Sequence, residues 1–337
     1  MEKKLFDFND GFSRRFPFSL HFEDFDVAEL GEIFRLECVQ HDWPPAQGKV
    51  VQVAARRAAR GRGNKGFGNA GAVRVLFEAA FRRALVRDRH AQSLQVQDVL
   101  GPRPDRANVP ALGFALDELD AMVGLDAVKE RVKQLANTAA TNYDRELRGD
   151  PPYEVALNRV FVGNPGTGKT TVGRIYGKVL KALGLLSDGA WEHKLAGDLI
   201  GSAVGESEKR TSALVRRSMG KVLFIDEAYA LNNSPYGRSA LDVLVGLVHG
   251  APGEDIAVVM AGYEKQMKKM FRESANPGLR SRFTGRMDFP DWDAADCVGR
   301  IAAQCEGDDL DLTPAARAHL LASLEEIRSR PGWANAR

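Results

Sequence analysis

The chain has 337 residues, 44% of them hydrophobic, which suffices for a large buried core and, by length, about two domains. A formal net charge of +2 argues for no strongly acidic or basic partner, and no run approaches the roughly 18 apolar residues of a membrane span. The first ten residues carry Glu2, Lys3, Lys4 and Asp7 with no apolar core, which excludes a secretory signal; Cys38, Cys297 and Cys305 are odd in number and lack metal-ligand spacing, the pattern of reduced thiols in a cytoplasmic or nuclear setting.

In chain order, Asn9-Asp10-Gly11-Phe12-Ser13-Arg14-Arg15-Phe16 has a counterpart in Asn276-Pro277-Gly278-Leu279-Arg280-Ser281-Arg282-Phe283, at a constant offset of 267 residues. The register runs on without a gap: residues 21–26 match 288–293, and Cys38 falls on Cys305. A repeat of this kind predicts that the chain begins inside one module and continues through the next. Apolar residues at spacings of three and four predict helices over Val27–Val39 and Gly71–Arg87. Between them, Arg56, Arg57, Arg60, Arg62 and Lys65 stand among small residues. Without interleaved aromatics this cluster reads as a solvated basic helix or loop rather than a nucleic-acid surface, so no nucleic-acid partner is expected. Gly101-Pro102-Arg103-Pro104-Asp105 then breaks the chain and marks a boundary near residue 105.

A second unit is read from Leu116, with a helix predicted from Asp126 to Leu147 and punctuation at Asp150-Pro151-Pro152. The apolar run Arg159-Val160-Phe161-Val162 enters Gly163-Asn164-Pro165-Gly166-Thr167-Gly168-Lys169-Thr170, a P-loop pattern, with a helix predicted from Thr171 to Leu183. Phosphate oxygens must meet bare backbone N–H groups, and only a Gly-rich turn lets them approach closely enough. Lys169 is expected on the β and γ phosphates and the Thr170 hydroxyl on Mg²⁺, while Thr171 continues the helix whose positive end faces the anion. Strands are predicted at Trp191–Leu195, Lys221–Ile225 and Ile256–Met260, alternating with helices at Glu206–Ser218 and Ser239–Val248. Such alternation means an α/β fold, a parallel sheet with helices on both faces and ligand sites at the carboxyl ends of its strands. Asp226 and Glu227 follow the buried strand at once, the Walker B arrangement: Asp226 would hold Mg²⁺ through its water shell and Glu227 would orient and polarise the attacking water.

The stretches GNPGTGKTT (163–171), VLFIDEAYAL (222–231), VVMAGYEKQM (258–267) and NPGLRSRF (276–283) resemble AAA+ ATPases of the CbxX/CfqX type. The resemblance implies a P-loop AAA+ module with all-α lids: residues 1–100 as the tail and helical lid of a preceding module, 101–115 as linker, 116–290 as the nucleotide-binding domain and 291–337 as a partial lid. It implies ATP and Mg²⁺ as cofactors, Val123, Gly124 and Leu125 beside the adenine, and Arg280 and Arg282 as arginine fingers reaching a neighbouring module. It also implies Arg337, in Ala334-Asn335-Ala336-Arg337, as the sensor 2 residue. The expected activity is ATP hydrolysis coupled to remodelling of a protein or complex, in a ring or tandem assembly of AAA+ modules and away from membranes. Three departures carry an alternative, an ATP-dependent scaffold with little or no hydrolysis. Ala203 stands where threading members have an aromatic, Gly71 stands at the first lid's sensor position, and Ala261 is apolar where many members have Asn or Thr.

Overall fold

The computed structural model describes residues 20, 22–45, 48–60, 62, 67–250 and 253–328. The helical unit that opens it contains α1 (Val27–Gln40), α2 (Gly48–Ala58), α3 (Ala70–Arg87) and the short α4 (Val96–Leu100). Helix α1 begins where Asp26 accepts from the Glu29 backbone N–H while the Glu29 carboxylate accepts from the Asp26 N–H, both at 2.8 Å, a reciprocal cap that satisfies two orphan donors. Leu30, Phe34 and Cys38 from α1 pack with Val50, Val53 and Ala54 from α2, Val73 and Phe77 from α3 and Val99 from α4 into a core of their own. Burial, with the charge of Glu37 beside it, pushes the Cys38 thiol up to about 11, so it stays protonated and inert at neutral pH.

The chain then runs through α5 (Pro110–Asp120) and α6 (Asp126–Arg148) into β1 (Arg159–Gly163), α7 (Lys169–Ala182), β2 (Trp191–Leu195), α8 (Glu206–Arg217), β3 (Val222–Asp226), α9 (Pro235–Leu247), β4 (Ala257–Gly262), α10 (Glu264–Glu273), α11 (Gly278–Arg282) and β5 (Gly285–Phe289). The five strands are all parallel in the order β2-β3-β4-β1-β5. Alternate residues face opposite layers, as the period-2 geometry of a strand requires. Phe161, Phe224 and Val259 join Tyr176 and Val179 of α7 on one side; Val160, Leu223, Ile225 and Met260 join Leu241 and Leu244 of α9 on the other. The parallel sheet covered on both faces is the architecture the alternation implied.

Two boundaries differ from expectation. Helix α5 starts at Pro110, where proline suits the first helical turn, and its Leu112 and Ala115 join the sheet core before Leu116 is reached. Strand β5 was not anticipated: Gly285-Arg286-Met287-Asp288-Phe289 buries only Met287 and Phe289, and becomes a strand by pairing with β1.

Beyond β5 come α12 (Ala294–Gly307) and α13 (Pro314–Arg328). Helix α12 lies 267 residues after α1, has the same length of 14 residues, and repeats its reciprocal cap with Asp293 and Asp296. Asp42 and Asp309, at the same offset, both take left-handed backbone with φ of +54° and +55°. Residues 9–16, the first copy of the match to 276–283, lie outside the described residues. Among the described residues no helix is long and apolar enough to cross a membrane.

The basic stretch at 56–60 has a structural destination. Arg57 makes a two-pronged contact with the Glu146 carboxylate at 2.6 and 3.1 Å, Arg60 adds a longer one at 3.4 Å, and Arg56 donates twice to the Gly149 carbonyl at 3.0 Å. The Glu146 side chain is only 2% exposed. Burial and Arg57 lower the Arg60 pKa to about 10, which leaves it charged at neutral pH. These three arginines fasten the first helical unit to the C-terminal end of α6. Lys65 lies outside the described residues.

Candidate functional site

The P-loop joins the carboxyl end of β1 to the first turn of α7. Gly168 has φ +94°, the left-handed region, which calls for glycine, and a Cβ there would also push aside the Met122 terminal methyl, 2.9 Å away. The Thr167 side chain is fully buried and its hydroxyl donates to the Asn164 carbonyl at 2.8 Å, closing the turn from within. Asn164 points outward, where its amide donates to both oxygens of Asp291 at 2.9 and 2.8 Å. Neither side chain faces the cleft, so what these two residues can offer a phosphate is backbone N–H. The Lys169 ammonium donates to the Gly163 and Asn164 carbonyls at 2.8 and 2.7 Å, which holds it over the loop.

Gly163, Pro165, Gly166, Gly168, Lys169, Thr170 and Thr171 line a cleft of about 510 Å³ at the carboxyl edge of the sheet. Asp226 and Glu227 line the same cleft from the end of β3, some distance away in sequence but across β4 in space. The Asp226 carboxylate accepts from the Glu227 N–H at 3.0 Å, and Glu227 adopts φ +51° with its side chain exposed. A left-handed non-glycine residue costs on the order of 1–3 kcal/mol and marks positions held for a purpose. His193 of β2 stands 3.7 Å from Asp226.

The sensor-like and adenine-side residues separate. Val123 lines the cleft, whereas Gly124 packs against Asp296 of α12 and Leu125 is buried in the core. Ala261 is also fully buried in the core beside Phe161, so its apolar side chain belongs to packing rather than to the cleft. At the end of β4 Gly262, and just beyond it Tyr263, reach the cleft. The Tyr263 ring lies 6.0 Å from that of Tyr229, whose phenol is pushed up by burial and by the charge of Glu227. Met122, Tyr263, Trp292 and Arg300 are cleft residues that sequence reasoning did not find.

Arg280 and Arg282 do not line this cleft. Arg280 donates to the Phe271 and Arg272 carbonyls at 2.9 and 3.1 Å, on the last turn of α10, and the buried Nε of Arg282 has no hydrogen-bond partner among the described residues. Arg337 lies outside the described residues. Ala203 and Val204 stand exposed on a separate loop.

The donor set suits a nucleoside triphosphate and its divalent cation: bare N–H groups and a lysine for phosphate, a threonine hydroxyl and an aspartate for the metal. Among the described residues no group of three or more His, Cys, Asp or Glu side chains gathers around a metal, so a cation here would complete its shell with phosphate oxygens and water.

Comparison with known proteins agrees with this geometry. Residues 159–291 match the family described as ATPase family associated with various cellular activities (AAA). Protein CfxQ of Xanthobacter flavus is 34% identical over 242 residues, 71% of this chain and 75% of that protein. The chloroplastic ribulose bisphosphate carboxylase/oxygenase activase of Cyanidioschyzon merolae is 33% identical over 66% of this chain and 76% of its own, and stage V sporulation protein K of Bacillus subtilis is 38% identical over 52% and 54%. A glycine-rich phosphate loop and an acidic strand end on one parallel sheet, shared with these relatives over most of its length, mean that this chain belongs to the AAA ATPase family of the CbxX/CfqX type, and is an ATP-binding ATPase.

Proposed function

We propose that this AAA module hydrolyses ATP with Mg²⁺ and spends the free energy on remodelling a protein or protein complex, working beside other AAA modules. The observation that carries the chemistry is the meeting of the P-loop and the Asp226-Glu227 pair in one cleft. Backbone N–H groups from Gly163 to Thr171 would cradle the phosphates and Lys169 would turn onto the β and γ oxygens. Thr170 and Asp226 would hold the Mg²⁺, which when bound neutralises phosphate charge. Glu227 would orient a water whose oxygen attacks the γ phosphorus as the bond to the β-γ bridging oxygen breaks. Val123, with Gly124 and Leu125 shaping the wall behind it, would border the adenine.

Arg280 and Arg282 lie away from their own cleft, which supports action on a neighbour's nucleotide and hence an oligomeric ring or tandem arrangement. Of the two, Arg282 is the better candidate, because Arg280 already donates to two carbonyls. The matching helices α1 and α12, with matching caps, support reading residues 1–100 as the tail and lid of a like module, 101–115 as linker, 116–290 as the nucleotide-binding domain and 291–337 as a second lid with Arg337 at its sensor position. Helix α5 favours extending the nucleotide-binding domain back to Pro110. The relatives come from bacteria and, in one case, from a chloroplast, which supports a cytoplasmic setting over a nuclear one.

Glu227→Gln tests the chemistry: phosphate release is expected to fall by a factor of about 10² or more while ATP still binds. Unchanged turnover would remove Glu227 from its role. The scaffold alternative loses one of its three supports, since Ala261 is enclosed in the core and Tyr263 brings a hydroxyl-bearing side chain to the cleft. Steady-state phosphate release indistinguishable from a Lys169→Ala control would favour the scaffold.

A further inference from the structure

We propose that Arg300, on the first helix of the lid, is a nucleotide-binding residue that donates to the phosphate chain of ATP. This deepens the ATP-site reading above and rests on it. Arg300 lines the same cleft as Lys169, Thr170 and Asp226. It is exposed and has no hydrogen bond or ion pair with any described residue. Its nearest acid in sequence on the same helix face, Asp296 one turn earlier, is engaged elsewhere: its carboxylate accepts from the Asp293 N–H at 3.2 Å in the cap of α12 and abuts Gly124, where an added Cβ would lie 2.8 Å from its Oδ2. Ala303, three residues after Arg300, also lines the cleft. Positions 296, 300 and 303 follow the spacing of one helical face, so α12 presents that face to the nucleotide site.

The charge arrangement says what such a guanidinium would meet. The cleft's other cation is Lys169, set at the P-loop, against the carboxylates of Asp226 and Glu227 and a Glu118 already paired with Lys178. A triphosphate adds several negative charges to that space. A guanidinium has five donors, no acceptor and a flat fork that matches two phosphate oxygens, and it stays charged at any working pH. An arginine without a partner that lines the same cleft as the P-loop, carried by the helix that follows residues 290–293, therefore gives α12 a direct hold on the nucleotide.

Binding of ADP, a slowly hydrolysed ATP analogue and adenosine to the full chain tests this, with calorimetry for the nucleotides and ligand-observed NMR for adenosine. Arg300→Ala is expected to weaken ADP and the ATP analogue on the order of tenfold, with adenosine unchanged and the melting temperature of the free protein preserved. Arg300→Lys, which keeps the charge and loses the fork, is expected to fall between the two. No loss in Arg300→Ala, or an equal loss for adenosine, which would mean that the guanidinium packs on the base, overturns the proposal. Lys169→Ala in the same assay separates the causes: if it too leaves nucleotide affinity unchanged, the ATP-site reading itself fails, whereas loss in Lys169→Ala without loss in Arg300→Ala sinks the role of Arg300 alone.

Discussion

Tyr263 illustrates how much a single position depends on the fold. Just after β4 it follows the enclosed Ala261 and the bare Gly262, and it is the first side chain there to reach the cleft. Tyr263→Phe keeps the ring against Tyr229 and removes only the hydroxyl, so kcat is expected to fall about tenfold with ATP affinity unchanged, if a hydroxyl donor strengthens its contact as charge develops on the phosphate. An unchanged kcat would leave Tyr263 with a packing role. At this scale the sequence was most legible where chemistry fixes residue type. The glycines, Lys169, Thr170, Asp226 and Glu227 could be placed from spacing alone because phosphate and metal accept few substitutes. Arg300 could not, since nothing in Val298-Gly299-Arg300-Ile301 distinguishes it from any helical arginine until α12 is brought over the cleft. Glu146 was hidden for the same reason: its partners Arg57 and Arg60 lie 89 and 86 residues away.

Two elements carry ionic anchors whose loss should be measurable. The Glu146 carboxylate is buried under Arg57 and Arg60, so Glu146→Ala leaves two part-buried cations uncompensated and is expected to destabilise the fold by about 3–5 kcal/mol in denaturant titrations. Glu146→Gln, which keeps the shape but not the charge, is expected to cost less. The loop before α8 is held differently. Glu206 accepts from the Ser202 and Ala203 N–H groups at 2.7 and 3.2 Å and from Arg210 at 2.6 Å, and its carboxyl is lowered to about 2, chiefly by the Ser202 N–H. A depressed carboxyl stabilises the fold above its usual pKa near 4.5 and loses that contribution as pH falls toward 2. Glu206→Gln is therefore expected to speed hydrogen exchange at Ser202 and Ala203 at neutral pH, with wild-type protection declining only well below pH 4. Elements with a clean period, such as α6, β3 and β4, were legible from sequence. Strand β5 was not, because Arg286 and Asp288 break its apolar pattern and only β1 supplies the reason for it to extend.

For the whole molecule, the decisive question is whether one module's site is finished by another. Arg282 lies outside its own cleft, so a mixture of Arg282→Ala and Glu227→Gln proteins is expected to recover part of the activity that each lacks alone, because some interfaces then pair an intact Glu227 with an intact Arg282. No recovery under conditions where subunits exchange would argue for action within one chain.

The fastening of Arg56, Arg57 and Arg60 to the end of α6 has a mechanical consequence. With that joint stiff, a push on the first helical unit is transmitted into α6 and the sheet as through a solid beam. Helix α12 is joined otherwise, through Pro290 to Asp293, where Asp291 accepts from the amide of Asn164 and Asp293 caps the helix. A displacement of the segment before α12 is therefore felt at once by the phosphate loop, because Asp291 and Asn164 share one contact.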